Sequence, residues 1–324
     1  MSMKRIQGLH HITAVAKDPQ INVDFYRQVL GQRLVKTTVN FDDPGTYHFY
    51  YGDEVGTPGT IMTFFPWRHV GKGRVGNGET AAVAYGVRPE AIGFWRDYLA
   101  RQGVTAVLTT TRFGADVLTF TDPDGMQLEL VASTAPAAFR FWEQGPIPES
   151  HTLLGFHGVT LWLDEVEATA QLLTAQLGYQ FVGQENGRYR YQAADDSMGV
   201  YVDILQRPGG EDGRFGAGSI HHIALRTVDD SEQLDYLRHL QQAGYRVTPV
   251  QDRQYFHSIY FRSPGGVLFE IATDAPGFAI DEPIAELGDR LQLPAWFAAQ
   301  RQQIEAALPS FVRKPIVKAE VVHE

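Results

Sequence analysis

The chain has 324 residues, of which 44% are hydrophobic and 20% are charged, so it is long enough for two globular domains. With 38 acidic and 28 basic residues, its net charge of -10 argues against a nucleic-acid partner, and the absence of cysteine excludes disulfides, zinc–thiolate sites and thiol nucleophiles. The sequence has no signal-peptide core and no apolar run of membrane-spanning length, so we expect a cytoplasmic protein with no membrane partner.

Four strand-like segments open the copies of an internal repeat. They begin at Leu9, Thr80, Phe156 and Ile220, and each precedes an amphipathic helical segment that ends at a glycine. The helical segments are predicted at 19–31, 88–103, 164–178 and 229–244. Short alternating strands follow each helix, about three per copy, so the predicted unit is βαβββ.

The closing strands of the second and fourth copies match almost position for position. Residues 122–129 (DPDGMQLE) align with 263–270 (SPGGVLFE), and a turn followed by a β-rich run predicts a hairpin that enters a strand. A proline-containing linker at 139–152 separates the second and third copies. After the fourth copy, residues 296–308 predict one more amphipathic helix, followed by a tail.

Two histidine doublets, His10–His11 and His221–His222, each open a strand-like run. Because side chains alternate along a strand, His11, His222 and Glu270 fall on the face opposite to the apolar one. Two imidazoles and one carboxylate are the ligand set of a mononuclear non-haem Fe(II) site. We therefore predict that these three residues bind Fe(II), with Mn(II) or another divalent ion as the alternative.

The other copies of the repeat lack this ligand set. Ala82 and Gly158 stand at the two histidine positions of the second and third copies, and Glu129 is the only ligand that we find retained there. We expect no metal at that place, and an exposed or salt-bridged Glu129. In the first copy, Thr63 aligns with Glu270, so the site has three protein ligands. Open coordination positions favour dioxygen activation over a closed site that polarises a carbonyl group.

Several further candidates lie on the ligand strands or on the strand that forms a hairpin with the one holding Glu270. They are His10, Thr13, His221, Arg253, His257 and Tyr260. A phenol and a guanidinium near a ferrous ion can bind a phenolate and stabilise an anionic oxygen. A histidine next to a ligand can donate a hydrogen bond to it and orient it.

Two motifs carry a family resemblance. Residues 9–13 (LHHIT) and 255–273 (YFHSIYFRSPGGVLFEIAT), together with the four-copy length, resemble the vicinal oxygen chelate superfamily, and within it the ring-cleaving dioxygenases that act on hydroquinones. The resemblance implies an α+β fold in which four βαβββ modules pair into two glyoxalase/bleomycin-resistance-type domains. It also implies that the first and last modules face each other across the site.

The resemblance and the linker together predict a division of the chain. We expect an N-terminal domain of modules one and two, a linker, a C-terminal domain of modules three and four, and a final helix and tail. The predicted bounds are 1–138, 139–152, 153–278 and 279–324.

The resemblance further implies Fe(II) bound by the three predicted ligands and insertion of both atoms of dioxygen into a para-diol ring. The residues that surround the metal in that family match here at His10, Thr13, His221, Arg253 and Tyr260. A small aromatic substrate and dioxygen are the expected partners, and a homo-oligomer is the expected assembly. The alternatives are an extradiol catechol dioxygenase, a glyoxalase-like metal-dependent lyase or isomerase, which would prefer a fourth carboxylate ligand, and a metal-free binding protein on the same fold.

Overall fold

The computed structural model describes residues 5–194 and 198–320, and within them sixteen strands form two eight-stranded sheets. In chain order the strands are β1 (Leu9–Ala16), β2 (Arg33–Asn40), β3 (Asp43–Gly52), β4 (Ile61–Pro66), β5 (Glu79–Val87), β6 (Val107–Arg112), β7 (Ala115–Thr121), β8 (Gln127–Ala132), β9 (Phe156–Leu163), β10 (Gln180–Glu185), β11 (Arg188–Gln192), β12 (Tyr201–Gln206), β13 (Ile220–Thr227), β14 (Gln251–Asp252), β15 (Phe256–Arg262) and β16 (Leu268–Pro276). The helices are α1 (Pro19–Asp24), α2 (Ala91–Arg101), α3 (Glu167–Gln171), α4 (Asp230–Gln242) and α5 (Arg301–Ala307).

The predicted repeat is confirmed. Each module consists of one strand, one helix and three further strands. The first module contains β1–β4 and α1, the second β5–β8 and α2, the third β9–β12 and α3, and the fourth β13–β16 and α4. Helices α1 and α3 continue into π-helical turns at Phe25–Val29 and Leu172–Gln176. The glycine that ends each helical segment has a positive φ, the conformation typical of the residue after a helix, at Gly31, Gly103, Gly178 and Gly244.

The two sheets combine modules that are distant in the chain. The first has the strand order β14-β15-β16-β13-β1-β4-β3-β2, and the second has the order β10-β11-β12-β9-β5-β8-β7-β6. Antiparallel pairing of β1 with β13 joins the first module to the fourth, as the resemblance implied, and pairing of β5 with β9 joins the second to the third. The predicted grouping of modules one and two in 1–138, and of three and four in 153–278, therefore does not correspond to the sheets. The bounds themselves, with the linker 139–152 and the segment 279–324, stay predictions.

The faces of the strands divide as their alternation predicts. Ile12 of β1 and Phe269 of β16 belong to the main apolar core, together with Tyr26, which follows α1, and Tyr236 of α4. Burying side chains of this size stabilises the fold by about 1.5–3 kcal/mol each. Glu270, the neighbour of Phe269 along the strand, points away from this core, to the face of the sheet that carries the predicted ligands and a smaller apolar cluster that includes Ala224 and Phe256.

The chain after β16 packs onto the first module. Leu291 forms a parallel bridge with Thr37 of β2, and the ring of Phe311 packs edge-on against Tyr47 and Phe49 of β3. These contacts cover the outer edge of the first sheet with chain from the opposite end of the molecule. An edge strand that is covered in this way is protected from pairing with other chains.

The predicted last helix is shorter than its apolar pattern suggested. Residues Ala295–Gln300 form a 3-10 turn, and the α-helix begins only at Arg301. Residues 309–320 have no regular secondary structure, and the end of the predicted tail, 321–324, lies outside the described residues. Within the described chain, none of the helices is both long enough and apolar enough to cross a membrane.

Candidate metal centre

Three side chains from neighbouring strands of the first sheet converge on one point. His11 comes from β1, His222 from β13 and Glu270 from β16, and all three are buried. Glu270 Oε2 lies 2.9 Å from His222 Nε2 and 3.3 Å from His11 Nε2, and the two Nε2 atoms are 3.4 Å apart. The convergence expected from the strand positions is therefore present, while the binding of a metal by these atoms stays a prediction. We call these three residues the histidine cup.

The protonation states in the histidine cup suit a divalent cation. Burial alone would raise the pKa of Glu270, but the imidazoles of His11 and His222 hold it well below its usual range. Burial lowers the pKa of His222, which keeps that ring neutral. Ionised carboxylate and neutral imidazole are the forms that bind metals.

One oxygen of the cup is left without a hydrogen bond. Ser258 Oγ donates a hydrogen bond to Glu270 Oε1, whereas Glu270 Oε2 is buried and makes no well-aligned hydrogen bond. A buried anionic oxygen in this condition is costly, and a bound cation offsets the cost. The donor set and the orphaned oxygen thus fit a metal ion at the point where the three side chains meet.

Each ligand histidine is held by its neighbour in the doublet. His10 Nδ1 lies 2.9 Å from His11 Nδ1, and His221 Nδ1 lies 2.8 Å from His222 Nδ1. When the Nδ1–H of His11 or His222 donates this hydrogen bond, the Nε2 lone pair of the same ring is free and has a defined direction. The two doublets therefore orient both Nε2 atoms toward Glu270.

A cavity of about 330 Å³ opens above the histidine cup. Its walls carry six phenylalanine, tyrosine and tryptophan side chains, namely Phe41, Tyr50, Phe65, Trp67, Phe256 and Tyr260. This size and lining are typical of a site for a small apolar ligand. His221, Arg253 and Tyr260, three of the residues that the sequence singled out, also line the cavity.

Arg253 and Tyr260 form a polar pair on one wall of the cavity. Arg253 Nε donates a hydrogen bond to the Tyr260 hydroxyl at 3.2 Å, and Arg253 Nη1 lies 3.1 Å from a carboxylate oxygen of Asp42. Burial opposes the charge of Arg253, yet the neighbouring Tyr260 and Asp42 raise its pKa. Burial also raises the pKa of Tyr260. The wall therefore presents a permanent cation and a protonated phenol.

The remaining candidates lie behind or outside the cavity. Thr13 is fully buried, and its hydroxyl lies 2.8 Å from that of Thr63. His257 does not reach the cup, because its Nδ1 lies 2.7 Å from the carboxylate of Asp230 at the start of α4. The prediction that His257 belongs to the site is wrong, since its side chain lies on the helix side of the sheet.

Thr63 occupies the position that corresponds to Glu270. In β4, Thr63 pairs with Thr13 of β1, just as Glu270 of β16 pairs with Ala224 of β13. A hydroxyl therefore stands where a second carboxylate would complete a four-ligand set. The sequence alignment of Thr63 with Glu270 is therefore confirmed.

The same strand positions carry carboxylates in the second sheet. Glu129 of β8 pairs with β5 at the position where Glu270 of β16 pairs with β13. Asp203 of β12 pairs with β9 at the position where Thr63 of β4 pairs with β1. Asp203 is not equivalent to any of the three predicted ligands, and the sequence alignment missed it because it did not extend to the closing strand of the third module.

Guanidinium groups bind both of these carboxylates. Arg112 Nη1 and Nη2 lie 2.6 and 3.0 Å from the carboxylate of Glu129. Arg190 Nε and Nη2 lie 2.8 and 2.9 Å from Asp203, and Arg188 Nη1 lies 3.2 Å from the same carboxylate. The predicted salt bridge of Glu129 is confirmed. We call these five residues the arginine cup.

Among the polar residues of the cavity that the sequence did not point to are His48 and Tyr50 of β3. Tyr50 pairs with Thr63 across β3 and β4, as Tyr260 pairs with Glu270 across β15 and β16. The third strands of the first and fourth modules therefore each send a tyrosine toward the cup. Aligning the third strands of the first and fourth modules, and not only their first and last strands, would have found both residues.

Comparison with known proteins identifies related chains. The model of the Glyoxalase/Bleomycin resistance protein/Dioxygenase superfamily matches residues 8–130 and 155–271. A Bacillus subtilis (strain 168) protein named as a candidate ring-cleaving dioxygenase, MhqO, is 46% identical over 308 residues, which cover 95% of this chain and 97% of that protein.

Two further relatives cover almost the whole chain. The chlorohydroquinone/hydroquinone 1,2-dioxygenase of Sphingobium indicum is 34% identical over 324 residues, covering 97% of this chain and 98% of that protein. A crystal structure described as that of a candidate dioxygenase from Bacillus subtilis is 44% identical, with a TM-score of 0.90 over 97% of this chain and 100% of that chain. The relatives therefore share both the fold and the full length.

Proposed function

We propose that this chain, which belongs to the Glyoxalase/Bleomycin resistance protein/Dioxygenase superfamily, is an Fe(II)-dependent dioxygenase that cleaves the ring of a hydroquinone-type (para-diol) substrate. The observation that carries the proposal is the convergence of two imidazole nitrogens and one carboxylate oxygen at the floor of an aromatic cavity. The names of its relatives, one of them a hydroquinone 1,2-dioxygenase, support ring cleavage and the substrate class.

His11, His222 and Glu270 are the proposed metal ligands. Their donor atoms lie within 4.8 Å of one another, and no carboxylate stands at the position of Thr63. Three protein ligands leave room for a substrate oxygen and for dioxygen. When bound, Fe(II) supplies the one-electron chemistry that allows dioxygen to react with an aromatic ring.

The protein's own groups bind and orient the reactants. The aromatic walls hold the ring and exclude water, while His10 and His221 keep the ligand imidazoles in place through their Nδ1 atoms. Thr13 holds the hydroxyl of Thr63 beside the cup. These contacts fix geometry, which is a main contribution of a protein to a reaction of this kind.

Arg253 and Tyr260 are proposed to stabilise negative charge on an oxygen in the cavity. A half-buried guanidinium and a phenol that stays protonated both donate hydrogen bonds to an anion. The carboxylate of Asp42, which is largely exposed, holds Arg253 in position. The proposed partners are thus a small aromatic diol and dioxygen, and a cytoplasmic homo-oligomer stays a prediction.

Oxygen uptake by the iron-loaded protein tests the proposal. The chain is reconstituted anaerobically with Fe(II) and then assayed in an oxygen electrode with hydroquinone, with catechol and with the methylglyoxal–glutathione adduct. We expect stoichiometric oxygen consumption with hydroquinone and a ring-opened chromophore. Faster uptake with catechol would make the protein an extradiol dioxygenase, and conversion of the thiol adduct without oxygen uptake would make it a lyase or isomerase. Lack of metal binding in the same preparations would leave a metal-free binding protein.

A further inference from the structure

A hydrogen-bonded chain on the first-module wall of the cavity extends from Thr13 and Thr63 to His48 and Tyr50, which have no role in the mechanism above. Thr13 Oγ1 lies 2.8 Å from Thr63 Oγ1, which lies 2.9 Å from His48 Nε2, and His48 Nδ1 lies 2.8 Å from the Tyr50 hydroxyl. Thr13 and Thr63 are fully buried, whereas His48 and Tyr50 line the cavity. Both ring nitrogens of His48 make hydrogen bonds within this series, so the group that remains available to a ligand is the hydroxyl of Tyr50.

Tyr50 is the structural counterpart of Tyr260. Each stands in the third strand of its module, opposite the closing-strand position held by Thr63 in the first module and by Glu270 in the fourth. The two tyrosines therefore approach the histidine cup from opposite modules. Their hydrogen-bond partners differ, because Tyr260 is bound to Arg253 and Tyr50 is bound to His48.

This difference separates the chemistry of the two walls. Arg253 is a permanent cation, so the pair that it forms with Tyr260 suits an anionic oxygen. Burial lowers the pKa of His48 well below its usual value, and burial raises the pKa of Tyr50 well above its own. The pair of Tyr50 and His48 is therefore neutral and suits a neutral hydroxyl group.

The links of the chain also allow both directions of hydrogen bonding. A hydroxyl and a neutral imidazole each donate and accept, so the whole chain can reverse without creating charge. Tyr50 can thus accept a hydrogen bond from a substrate hydroxyl and can donate one to a carbonyl oxygen. A group of this kind matches an oxygen that changes between hydroxyl and carbonyl forms.

We propose that the hydroxyl of Tyr50, oriented by His48, binds the second oxygen of an aromatic diol, the oxygen that is not bound to the metal. Arg253 and Tyr260, on the opposite wall, are left to bind the anionic oxygen. The inference rests on the proposed function, since it takes the diol from there. It makes Tyr50 a determinant of substrate specificity, and His48 and Thr63 positioning residues that act through Tyr50.

Anaerobic binding of two ligands tests the role of Tyr50 apart from turnover. Dissociation constants of hydroquinone and of phenol, which lacks the second oxygen, are measured by isothermal titration of the metal-loaded protein without dioxygen. We expect hydroquinone to bind about tenfold more tightly than phenol, because one hydrogen bond of about 1.4 kcal/mol corresponds to a factor of ten. Tyr50→Phe should bring the ratio close to one and leave the phenol constant nearly unchanged.

Tyr51→Phe is the matched control. Tyr51 is the next residue of β3, is fully buried and donates its hydrogen bond to Asn22 away from the cavity, so its variant should keep the wild-type ratio. Tyr260→Phe should also keep the preference for hydroquinone. An unchanged ratio in Tyr50→Phe, or loss of the ratio in Tyr260→Phe alone, would overturn the inference, as would equal binding of both ligands by the wild type.

Variants behind His48 test its positioning role. Thr63→Val removes the hydroxyl bonded to His48 Nε2 and should reduce the ratio about threefold, whereas Thr63→Ser should restore it, because a hydroxyl is again available. If Thr63→Val and Thr63→Ser had the same ratio of phenol to hydroquinone dissociation constants, the hydrogen bond from Thr63 to His48 would not orient Tyr50. Oxygen uptake with hydroquinone in the same wild-type preparation separates the two proposals. If uptake is absent while the ratios behave as expected, the dioxygenase assignment fails and the binding role of Tyr50 stands. Normal uptake with an unchanged Tyr50→Phe ratio would reject only the inference.

Discussion

The histidine cup and the arginine cup occupy equivalent positions in two sheets of the same design. In the first, Glu270 faces two imidazoles, and in the second the equivalent Glu129 faces Arg112. Ala82 and Gly158 stand at the two histidine positions of the second sheet. The backbone forms equivalent positions in both sheets, so the difference between a candidate metal site and an ion-pair cluster lies in a few side chains.

The two cups show two ways to neutralise a buried carboxylate. Arg112 and Arg190 each bind their carboxylate through two nitrogens, so in the arginine cup the chain itself supplies the cations. Glu270 Oε2 has no hydrogen bond of this kind, and its imidazole neighbours are ordinarily neutral as metal ligands. The histidine cup therefore suits a cation from outside the chain, as we propose, whereas guanidinium groups already neutralise the carboxylates of the arginine cup.

Glu270→Gln should have the largest effect on this comparison. The substitution removes the only anionic ligand, so we expect metal affinity to fall by more than about 100-fold, beyond the loss typical of residues that only support a ligand, and oxygen uptake to disappear. Metal content by elemental analysis and oxygen-electrode assays measure both effects. The matched control is Glu129→Gln in the arginine cup, which should keep the metal.

Metal removal should destabilise the first cup and leave the second intact. A ligand present at about 100 times its dissociation constant stabilises the folded state by about 2.7 kcal/mol, so a chelator should lower the free energy of unfolding by about that amount. Thermal and denaturant unfolding with and without chelator measure it. A wild-type protein that responds no more than Glu270→Gln would contradict the assignment of the histidine cup.

Glu129→Ala should affect stability and not turnover. The variant leaves Arg112 without its partner in a largely buried position, so we expect the free energy of unfolding to fall by about 2 kcal/mol. Iron content and oxygen uptake should stay within about twofold of the wild type, because the metal lies in the other sheet. A large loss of turnover in a folded variant would show that the two cups are functionally coupled.

The smallest effect is expected from His157, which lies beside the arginine cup. Burial and the charge of Arg190 lower the pKa of His157 to about 4. The unfolded chain, with a histidine pKa of about 6.5, binds more protons between these values, so this contribution to stability is complete above pH 6.5 and is lost as the pH falls toward 4. From pH 7 to pH 5 the wild type should lose about 1 kcal/mol more than His157→Gln, allowing for partial exposure of the ring. Equal pH slopes in denaturant unfolding would show that His157 is not buried in its neutral form.

The strongest sequence signals were those with a local physical cause. The helix-ending glycines, such as Gly31 and Gly244, mark places where the backbone needs a positive φ, and they located the helices within a few residues. Strand alternation separated Glu270 from Phe269 and His11 from Ile12 because adjacent side chains point to opposite faces. His257 shows the limit of this reasoning, since its strand was identified while the face of its side chain was not.

Long-range pairing was the part that local patterns did not specify. Four similar modules can pair in more than one order, and nothing in β1 or β5 alone indicates that β1 adds to β13 and β5 to β9. The arginine cup was missed for the same reason. Its ion pairs each form within one module, Arg112 with Glu129 and Arg188 with Asp203, but the pairs form one cluster only once the second and third modules share a sheet.

The sequence by itself determined the βαβββ repeat, the faces of its strands and the three candidate ligands, because these depend on spacings of a few residues. Only the tertiary structure decided which strands join the modules into sheets, which rings line the cavity, and that His48 and Tyr50 complete a wall opposite Arg253 and Tyr260. The physical reason is that a single sheet, assembled from the two ends of the chain, brings together side chains that no local pattern connects.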